Sequence, residues 1–224
     1  MITIIIPCLN EKNSINIILK NLSFFKKNKH LVIDGGSNDN SEKLYIKNKI
    51  KFFTTLPSRG LQQLKGAEKS NTKWLFFLHA DTELNKENIL EIKKFIKNNN
   101  EFKIAFFKII FREKKLIAKF ISIWANIRTL LFKLPFGDQG LLISRNYYFK
   151  IGGHSEEKIM EDLELVIKVP KKNRILLKST VKTSFRRYEK NGVFVQSIIH
   201  IICQVLFLLN VNKKIIYKIY SRNE

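Results

Sequence analysis

The run ITIIIPCLNE, residues 2–11, decides the fold that the sequence predicts. Ile2–Ile6 is a continuous apolar, largely β-branched segment, which is typical of a strand buried on both faces of a sheet. Apolar residues then recur at helical spacing from Ile15 to Phe25, and Asn13 or Ser14 is available as the helix cap. A buried strand followed by a helix favours a parallel sheet with helices on its faces.

The same alternation continues to about residue 100 and then changes. The sequence predicts further strands at Leu31–Asp34, Lys51–Thr55, Trp74–His79 and Ile104–Arg112, and helices at 61–69, 89–96, 116–134 and 193–210, with the last of these as the final helix. Residues 137–140 are expected to begin a loop-and-strand unit, and residues 175–188 to hold one or two short strands. Because no repeat or Pro/Gly/Ser-rich linker is visible, we expect one domain, 1–224.

The charge of the chain is strongly unbalanced. Its 224 residues include 41 Lys+Arg against 19 Asp+Glu, a formal net charge of +22. A hydrophobic fraction of 45% excludes a disordered polycation, which would lack the apolar surface needed to fold. The charge fits nucleic acid, an anionic membrane or a phosphorylated substrate, but scattered lysines also fit simple compositional bias. Without a recognition motif for nucleic acid, no such partner is expected.

The two cysteines, Cys8 and Cys203, lie near opposite ends of the chain within apolar runs. This placement favours buried, reduced thiols over a disulfide framework or a zinc site. The apolar run at the N-terminus is too short for a signal peptide and lacks a basic leader. The sequence therefore predicts a cytoplasmic location.

Polar residues follow three of the predicted strands, in segments 7–11, 34–39 and 79–82. In an open α/β sheet the ligand binds outside the carboxyl ends of the strands, so these segments mark a candidate site. Taken singly, Asp34 with its following glycines also fits a tight turn, and Asp81 also fits a helix cap. Neither a dinucleotide-binding nor a P-loop glycine pattern is present. Carboxylates here can instead bind a base or ribose and hold a divalent ion.

These segments, in this order, resemble the signatures of family 2 glycosyltransferases. The resemblance is carried by IIIPCLNE at 4–11, DGGSND at 34–39, RGLQQLKGA at 59–67, LHADT at 78–82, GDQG at 137–140, EDLEL at 161–165 and RRY at 186–188. It covers residues 1 to about 210 and extends to a compact subgroup that includes glycosyltransferases associated with arsenosugar biosynthesis. Each motif is short, whereas the ordered set is specific.

The resemblance implies a GT-A-like α/β fold, with a mostly parallel sheet flanked by helices and a C-terminal amphipathic helix. Residues 1–100 would form the nucleotide-binding half, 101–192 the acceptor and catalytic half, and 193–224 an apolar helix with a basic tail. The implied reaction moves a sugar from a nucleotide-sugar donor, a UDP- or GDP-sugar, to an unknown acceptor. It would require a divalent metal, Mg²⁺ or Mn²⁺, and direct displacement by one base would invert the anomeric centre.

The resemblance also assigns residues to roles. The nucleoside would be contacted by Pro7, Glu11, Asp34 and Asp39, and the diphosphate by Arg59, Arg186 and Arg187. Asp138 and Gln139 would lie on the acceptor side. Asp81 would bind the metal. Asp162 is favoured as the base, with the adjacent Glu161 as the alternative. His79 stands where relatives often carry the first Asp of Asp-x-Asp, so metal identity and stoichiometry stay open.

Simpler interpretations stand beside these roles. The acidic run 161–164 also fits a first helical turn that complements the helix dipole, and 186–188 also fits a solvated basic strand edge. Gly152-Gly153-His154 is predicted as a flexible loop near the acceptor.

The predicted helix Val193–Asn210 contains no charged residue but carries a polar stripe, Gln196, His200 and Gln204. Basic residues flank both of its ends: Arg186, Arg187, Lys190, Lys213, Lys214, Lys218 and Arg222. The helix is expected either to pack on the core or to lie on an anionic membrane surface, with a true span as the third choice. The helix at 116–134, with Trp124, would join such a surface. A non-catalytic basic module for membranes or nucleic acid is the alternative function.

Overall fold

A computed structural model describes residues 1–25, 29–156 and 159–221 of the chain. Arg222, the last residue of the predicted basic flank, lies outside the described residues, as do the last two residues of the predicted tail. The strands are β1 (Ile2–Cys8), β2 (Lys29–Asp34), β3 (Phe52–Thr54), β4 (Trp74–Phe77), β5 (Ile104–Phe111), β6 (Leu141–Ser144) and β7 (Arg174–Thr183). The helices are α1 (Ile15–Ser23), α2 (Ser41–Lys47), α3 (Arg59–Glu68), α4 (Lys86–Asn98), α5 (Leu116–Phe132), α6 (Arg145–Lys150), α7 (Glu161–Ile167), α8 (Arg186–Asn191), α9 (Val193–Leu208) and α10 (Lys213–Ser221).

The seven strands form one sheet in the order β3-β2-β1-β4-β6-β5-β7. The β1 strand pairs in parallel with β2 and β4, β2 pairs in parallel with β3, and β5 pairs in parallel with β7. The β6 strand runs antiparallel to both of its neighbours, β4 and β5. The predicted mixed α/β architecture with a mostly parallel sheet is therefore confirmed.

The apolar run that opens the chain explains why β1 lies inside the sheet. All seven residues of β1 are buried, as a strand covered on both faces requires. Because successive side chains point to opposite faces, Ile4 and Ile6 pack with Phe76 on one face, whereas Ile5 packs with Phe77 on the other. Because β1 and β4 pair in parallel, their carboxyl ends lie side by side.

Three predictions of secondary structure were wrong in the last third of the chain. Residues 174–183 form one ten-residue strand, β7, because they pair along most of β5 across a register shift. The segment Arg186–Tyr188 begins a short helix, α8, and is not a strand edge. The helix that starts at Val193 is also not the last one, since α10 follows it and packs Ile216 against Cys203 in a cluster with Leu163.

Both cysteines are buried free thiols, as the apolar runs around them predict. The predicted division of the chain at residues 100 and 192 stays a prediction.

Candidate functional site

A cavity of about 1090 Å³ opens at the carboxyl ends of β1 and β4. Of the predicted site residues, eight line it: Pro7, Glu11, Arg59, Asp81, Asp138, Asp162, Arg186 and Arg187. The other four, Asp34, Asp39, Gln139 and Glu161, do not line it. The structure thus brings together residues from six segments that are far apart in sequence.

The two aspartates predicted to contact the nucleoside are held in turns. The Asp34 carboxylate accepts hydrogen bonds from the amides of Gly36 and Ser37, at 2.8 and 2.6 Å, and from the Ser37 hydroxyl at 2.8 Å. The Asp39 carboxylate accepts from the amides of Lys12, at 2.8 Å, and Ser41, at 3.0 Å. These bonds fix the loops that follow β1 and β2, so the tight-turn interpretation of Asp34 is part of the structure.

Gln139, predicted on the acceptor side, is fully buried and does not line the cavity. Its Oε1 accepts from the Phe136 amide and the Thr129 hydroxyl, both at 3.0 Å, and its Nε2 donates to the Phe107 carbonyl at 2.8 Å. Both polar atoms of the Gln139 side chain thus have partners inside the protein. The prediction that Gln139 binds substrate does not fit this position. Gln139 instead holds the turn that presents Asp138.

Asp162 lies in the first turn of α7 and is almost completely buried. Its Oδ1 accepts from Gln63 Nε2 at 3.1 Å and lies 3.4 Å from His154 Nε2, and its Oδ2 lies 4.0 Å from Arg59 Nε. Burial by itself raises the pKa of Asp162, but the neighbouring His154 imidazole and the charge of Arg59 outweigh it and hold that pKa well below its usual range. The carboxylate is therefore ionised at neutral pH.

Glu161, the alternative base, is fully buried and turned toward α3, where it pairs with the Arg59 guanidinium. Burial raises the pKa of Glu161, the charge of Arg59 lowers it, and the net direction is upward. The first turn of α7 therefore presents one carboxylate to the cavity and the other to the protein interior. This geometry favours Asp162 over Glu161 as the group that meets a substrate.

Three groups at the end of β4 and in the turn after α5 fit a divalent cation. Asp81 and Asp138 both line the cavity, and Asp138 Oδ1 is buried with no hydrogen-bond partner in the described part of the chain. Burial, and then the charge of Asp81, raise the pKa of Asp138 to about 6. His79 Nε2 is likewise buried and unpartnered among the described residues, and burial with the Arg59 charge lowers the His79 pKa to about 3. Orphaned oxygen and neutral nitrogen atoms are what a cation would satisfy.

Within residues 1–25, 29–156 and 159–221, however, no three His, Cys, Asp or Glu side chains converge closely enough to hold a metal on their own. Mg²⁺ is commonly held by one or two carboxylates together with substrate phosphates and water. Asp81 and Asp138 fit that mode of binding, in which the ligand completes the coordination.

Gly137 is required where it stands because of close packing. A Cβ at this position would collide with the Asp162 carboxylate and with the His79 ring. Only glycine lets the turn bring Asp138 this near to Asp162.

Two arginines of α8, Arg186 and Arg187, also line the cavity. Arg186 Nη2 pairs with Glu11 Oε1 at 2.7 Å, and burial lowers the pKa of Arg186 while the charges of Glu11 and then Asp81 raise it, with a net upward direction. Arg187 contacts the Tyr220 hydroxyl of α10. Since α8 is helical, consecutive arginines diverge toward different partners.

Several residues that support the site were not predicted. His154 is buried rather than in a flexible loop, because Gly152 and Gly153, both with positive φ, turn the chain back on α6. The His154 Nδ1 lies 3.0 Å from the Tyr148 hydroxyl. Gln62 Nε2 donates to the carbonyls of Cys8 and Ile33, both at 2.7 Å, and ties α3 to the ends of β1 and β2. The glycine pair was the visible signal for His154, and the RGLQQLKGA segment at 59–67 was the signal for Gln62.

Arg128 is another unpredicted cavity residue. Its guanidinium lies 4.1 Å from the centre of the Phe136 ring, and its Nη1 is buried without a partner in the described ranges. Burial lowers the pKa of Arg128 to about 10, against the opposing charge of Asp138. A lone arginine within an apolar helix was the available sequence signal.

Comparison with known proteins gives a family and a fold. The sequence profile described as glycosyl transferase family 2 matches residues 3–154. No curated protein matches the chain. Similar solved structures are residues 1–349 of TarS from S. aureus (16% identity, TM-score 0.61, 92% of this chain and 65% of that one), and the mannosyltransferase PcManGT from Pyrobaculum calidifontis with GDP-Man and Mn²⁺ (11%, 0.67, 90% and 61%). A third is glucosyl-3-phosphoglycerate synthase from Mycobacterium tuberculosis with Mn²⁺, UDP and glucosyl-3-phosphoglycerate (13%, 0.66, 95% and 81%).

At these identities the structural likeness shows the fold alone, and it confirms the predicted GT-A-like fold. The chain spans less than two thirds of the length of the first two of these proteins. The arsenosugar-associated subgroup stays a prediction.

Proposed function

Because the chain belongs to glycosyl transferase family 2, we propose that it transfers a sugar from a nucleoside-diphosphate donor to a hydroxyl group of an acceptor. The observation that carries this proposal is the cavity itself. One buried, ionised carboxylate, Asp162, shares it with the carboxylates of Asp81 and Asp138 and with arginines of α8. A base, a cation site and positive charge are the groups that such a transfer needs.

Asp162 acts as the base in this proposal. Its carboxylate takes the proton of the acceptor hydroxyl as the oxygen bonds to the anomeric carbon and the bond from that carbon to the diphosphate breaks. A single displacement of this kind inverts the configuration at the anomeric carbon. Gln63, His154 and Arg59 hold the Asp162 carboxylate in place, so little reorganisation accompanies the reaction.

Asp81 and Asp138 would hold the divalent ion, Mg²⁺ or Mn²⁺, which when bound supplies positive charge to the departing diphosphate. Arg186, near Asp81, and Arg187 would add further positive charge to the same leaving group. Arg59 serves mainly as the partner of Glu161 and Asp162, and so contributes through the base.

We propose a UDP- or GDP-sugar as the donor. Support comes from similar proteins that were solved with GDP-Man and Mn²⁺ or with UDP and Mn²⁺. Pro7 and Glu11 line the cavity near the nucleoside end of the predicted site, and Asp34 and Asp39 shape the loops beside it. The predicted cytoplasmic location is part of this proposal, since nucleotide sugars and reduced thiols such as Cys8 would share that compartment.

The test compares wild-type protein with Asp162→Asn across a panel of UDP- and GDP-sugars with Mg²⁺ or Mn²⁺. We expect donor transfer or hydrolysis to fall by roughly 10²–10⁴-fold in the variant, because the base is lost, while nucleotide affinity is retained. Glu164→Gln is the matched control on the same helix, since Glu164 pairs with Lys213 outside the cavity. Full activity in Asp162→Asn, or equal loss in both variants, would overturn the assignment.

A further inference from the structure

The α5 helix has its apolar side chains on the outside. Its buried positions are small or polar, Ala118, Ser122 and Thr129. Its exposed positions are the large apolar ones: Leu116, Ile117, Phe120, Ile123, Trp124, Ile127, Leu130, Leu131 and Phe132. An amphipathic helix of a globular protein normally shows the reverse arrangement.

Polar contacts hold α5 in this orientation. The Asn126 side chain accepts from the Ile109 amide at 2.9 Å and donates to the Ile109 carbonyl at 2.8 Å, so it pairs with β5 as a neighbouring strand would. The Thr129 hydroxyl donates to Gln139 Oε1 at 3.0 Å. These bonds hold the polar side of α5 against the domain. The apolar side of α5 therefore faces outward as a consequence of the fold.

The α9 helix presents a second apolar surface. Its inner stripe of Gln196, Ile199, Cys203 and Phe207 is buried. Its outer positions, on the helix and its C-terminal end, are again large and apolar: Phe194, Val195, Ile198, Ile201, Ile202, Val205, Leu208 and Leu209, all at least 40% exposed. The 16 residues of α9 include no charged side chain. Contiguous apolar surface on this scale marks an interaction site.

Cations border this surface and acidic residues are missing from its helices. The sequences of α5, α9 and α10 contain no Asp or Glu, whereas α5 carries the exposed Lys119 and α10 the exposed Lys214 and Lys218. Two neighbouring acidic residues, Glu189 and Glu164, are paired with Lys115 and Lys213. An apolar surface with a basic border is complementary to an anionic bilayer, whose interior takes the apolar chains and whose headgroups pair with the cations.

We infer that α5, α9 and α10 form a docking face that lies on an anionic membrane surface, with the mouth of the catalytic cavity in that face. Phe120 and Trp124 of α5, Ile201 and Gln204 of α9, and Tyr220 of α10 all line the cavity that also contains Asp162. The significance of this position rests on the proposed function: an acceptor would reach Asp162 from the membrane side. The docking itself does not depend on that function.

The charge of the chain argues against a second copy as the occupant. Self-association through this face would bring two chains of net charge +22 together along their basic borders. Along the described residues, no helix is both long and apolar enough to cross a bilayer. The geometry therefore points to helices that lie in the interface, as amphipathic helices do.

Trp124 offers a direct test, because it is 61% exposed in the docking face while the other tryptophan, Trp74, is 2% exposed in the core. The full chain is mixed with vesicles of phosphatidylglycerol and phosphatidylcholine, and with vesicles of phosphatidylcholine alone. We expect co-flotation and a blue shift of tryptophan emission with the anionic vesicles, quenching by lipids brominated on the acyl chain, and much weaker effects with the neutral ones. Trp124→Phe should still float but lose the blue shift.

A paired substitution separates this face from the general charge of the protein. Leu130→Ser with Leu131→Ser, both more than half exposed, should weaken vesicle binding by about tenfold or more. Ile46→Ser with Leu90→Ser, equally exposed on α2 and α4, is the matched control and should bind as the wild type does. Equal loss in both pairs, no binding to anionic vesicles, or binding without a Trp124 signal would overturn the inference. A dimer that dissociates only in the Leu130/Leu131 variant would overturn it in favour of self-association.

The two proposals fail separately. Nucleotide binding in solution is expected to be the same in the Leu130/Leu131 variant and in wild type, because neither leucine lines the cavity. If vesicle docking is lost but nucleotide binding is intact, the docking inference fails and the proposed function is unaffected. If the protein docks on vesicles but does not bind nucleotide, the proposed function fails and the docking inference is unaffected.

Discussion

The residues that keep Asp162 ionised lie far from it in the sequence but close to it in the structure. Gln63 comes from α3, His154 from the turn after α6, and Arg59 from the start of α3, and all three reach the same carboxylate. The Tyr148 hydroxyl, 3.0 Å from both the His154 Nδ1 atom and the His154 amide, fixes the imidazole ring. His154 therefore acts through Asp162 as a positioning residue.

Replacing His154 by Gln should shift the pH dependence of transfer. The His154 imidazole, whose Nε2 lies 3.4 Å from Asp162 Oδ1, is one of the groups that hold the pKa of Asp162 down, so its loss should raise that pKa. Because the base works in its ionised form, the acid limb of the profile of kcat/KM against pH should move to higher pH, and kcat should fall about tenfold. His30→Gln, on β2 away from the cavity, is the control. An unchanged acid limb in His154→Gln would show that His154 only packs.

At the level of secondary structure, the sequence was sufficient where apolar periodicity and burial coincide. The strands β1, β2, β4 and β5 were predicted from apolar runs, since in a parallel sheet burial on both faces leaves a continuous signal. The length of β7 was not, because its exposed and half-buried positions alternate with few apolar markers. The short helices α8 and α10 were not predicted; α8 packs Tyr188 against His200 of α9, and α10 packs Ile216 against Cys203 of α9. The roles of the site residues stay predictions, although eight of them meet in one cavity.

The packing of α9 against α8 predicts a pH-dependent stability that depends on His200. The Tyr188 hydroxyl lies 3.2 Å from His200 Nδ1, Gln196 Nε2 lies 2.6 Å from His200 Nε2, and the Tyr220 ring stacks on the imidazole. Burial, then the charges of Arg187 and Arg128, lower the pKa of His200 to about 4. The unfolded chain, with the ordinary value near 6.5, therefore binds more protons than the folded one between pH 6.5 and pH 4.

The contribution of His200 to the free energy of unfolding should thus be complete above pH 6.5 and decrease as the pH falls toward 4. In His200→Gln, which cannot titrate, urea denaturation at a series of pH values should give a shallower decrease over this range than in wild type. Ser197→Ala, one turn earlier on α9, should keep the wild-type slope, since the Ser197 hydroxyl donates to the Val193 carbonyl of its own helix and carries no titrating group. The same slope in wild type and His200→Gln would mean that the pKa of His200 is the same in the folded and unfolded protein.

For the whole molecule, the lysines behind the net charge of +22 differ in what lies beside them. Many lysines lie on exposed positions of α2 and α4, outside the docking face. Those of α10 border an apolar face, and there a cation can add to apolar contact with a bilayer. Positive charge is thus spread over the surface, and we expect it to contribute to binding where it borders the docking face.

This distinction predicts how salt changes vesicle binding. Raising NaCl from about 0.1 to 1 M shortens the Debye length from about 10 to 3 Å, so the contribution of the basic border should be largely screened while the apolar contribution persists. Lys214→Gln with Lys218→Gln should weaken binding to anionic vesicles at low salt by roughly fivefold per lysine and flatten the salt dependence. Lys43→Gln with Lys47→Gln removes the same charge from α2, and flotation over a salt series should leave it close to wild type. Equal flattening in both pairs would mean that net charge, and not the border of the docking face, controls the attraction, because only a localised contact distinguishes cations by position.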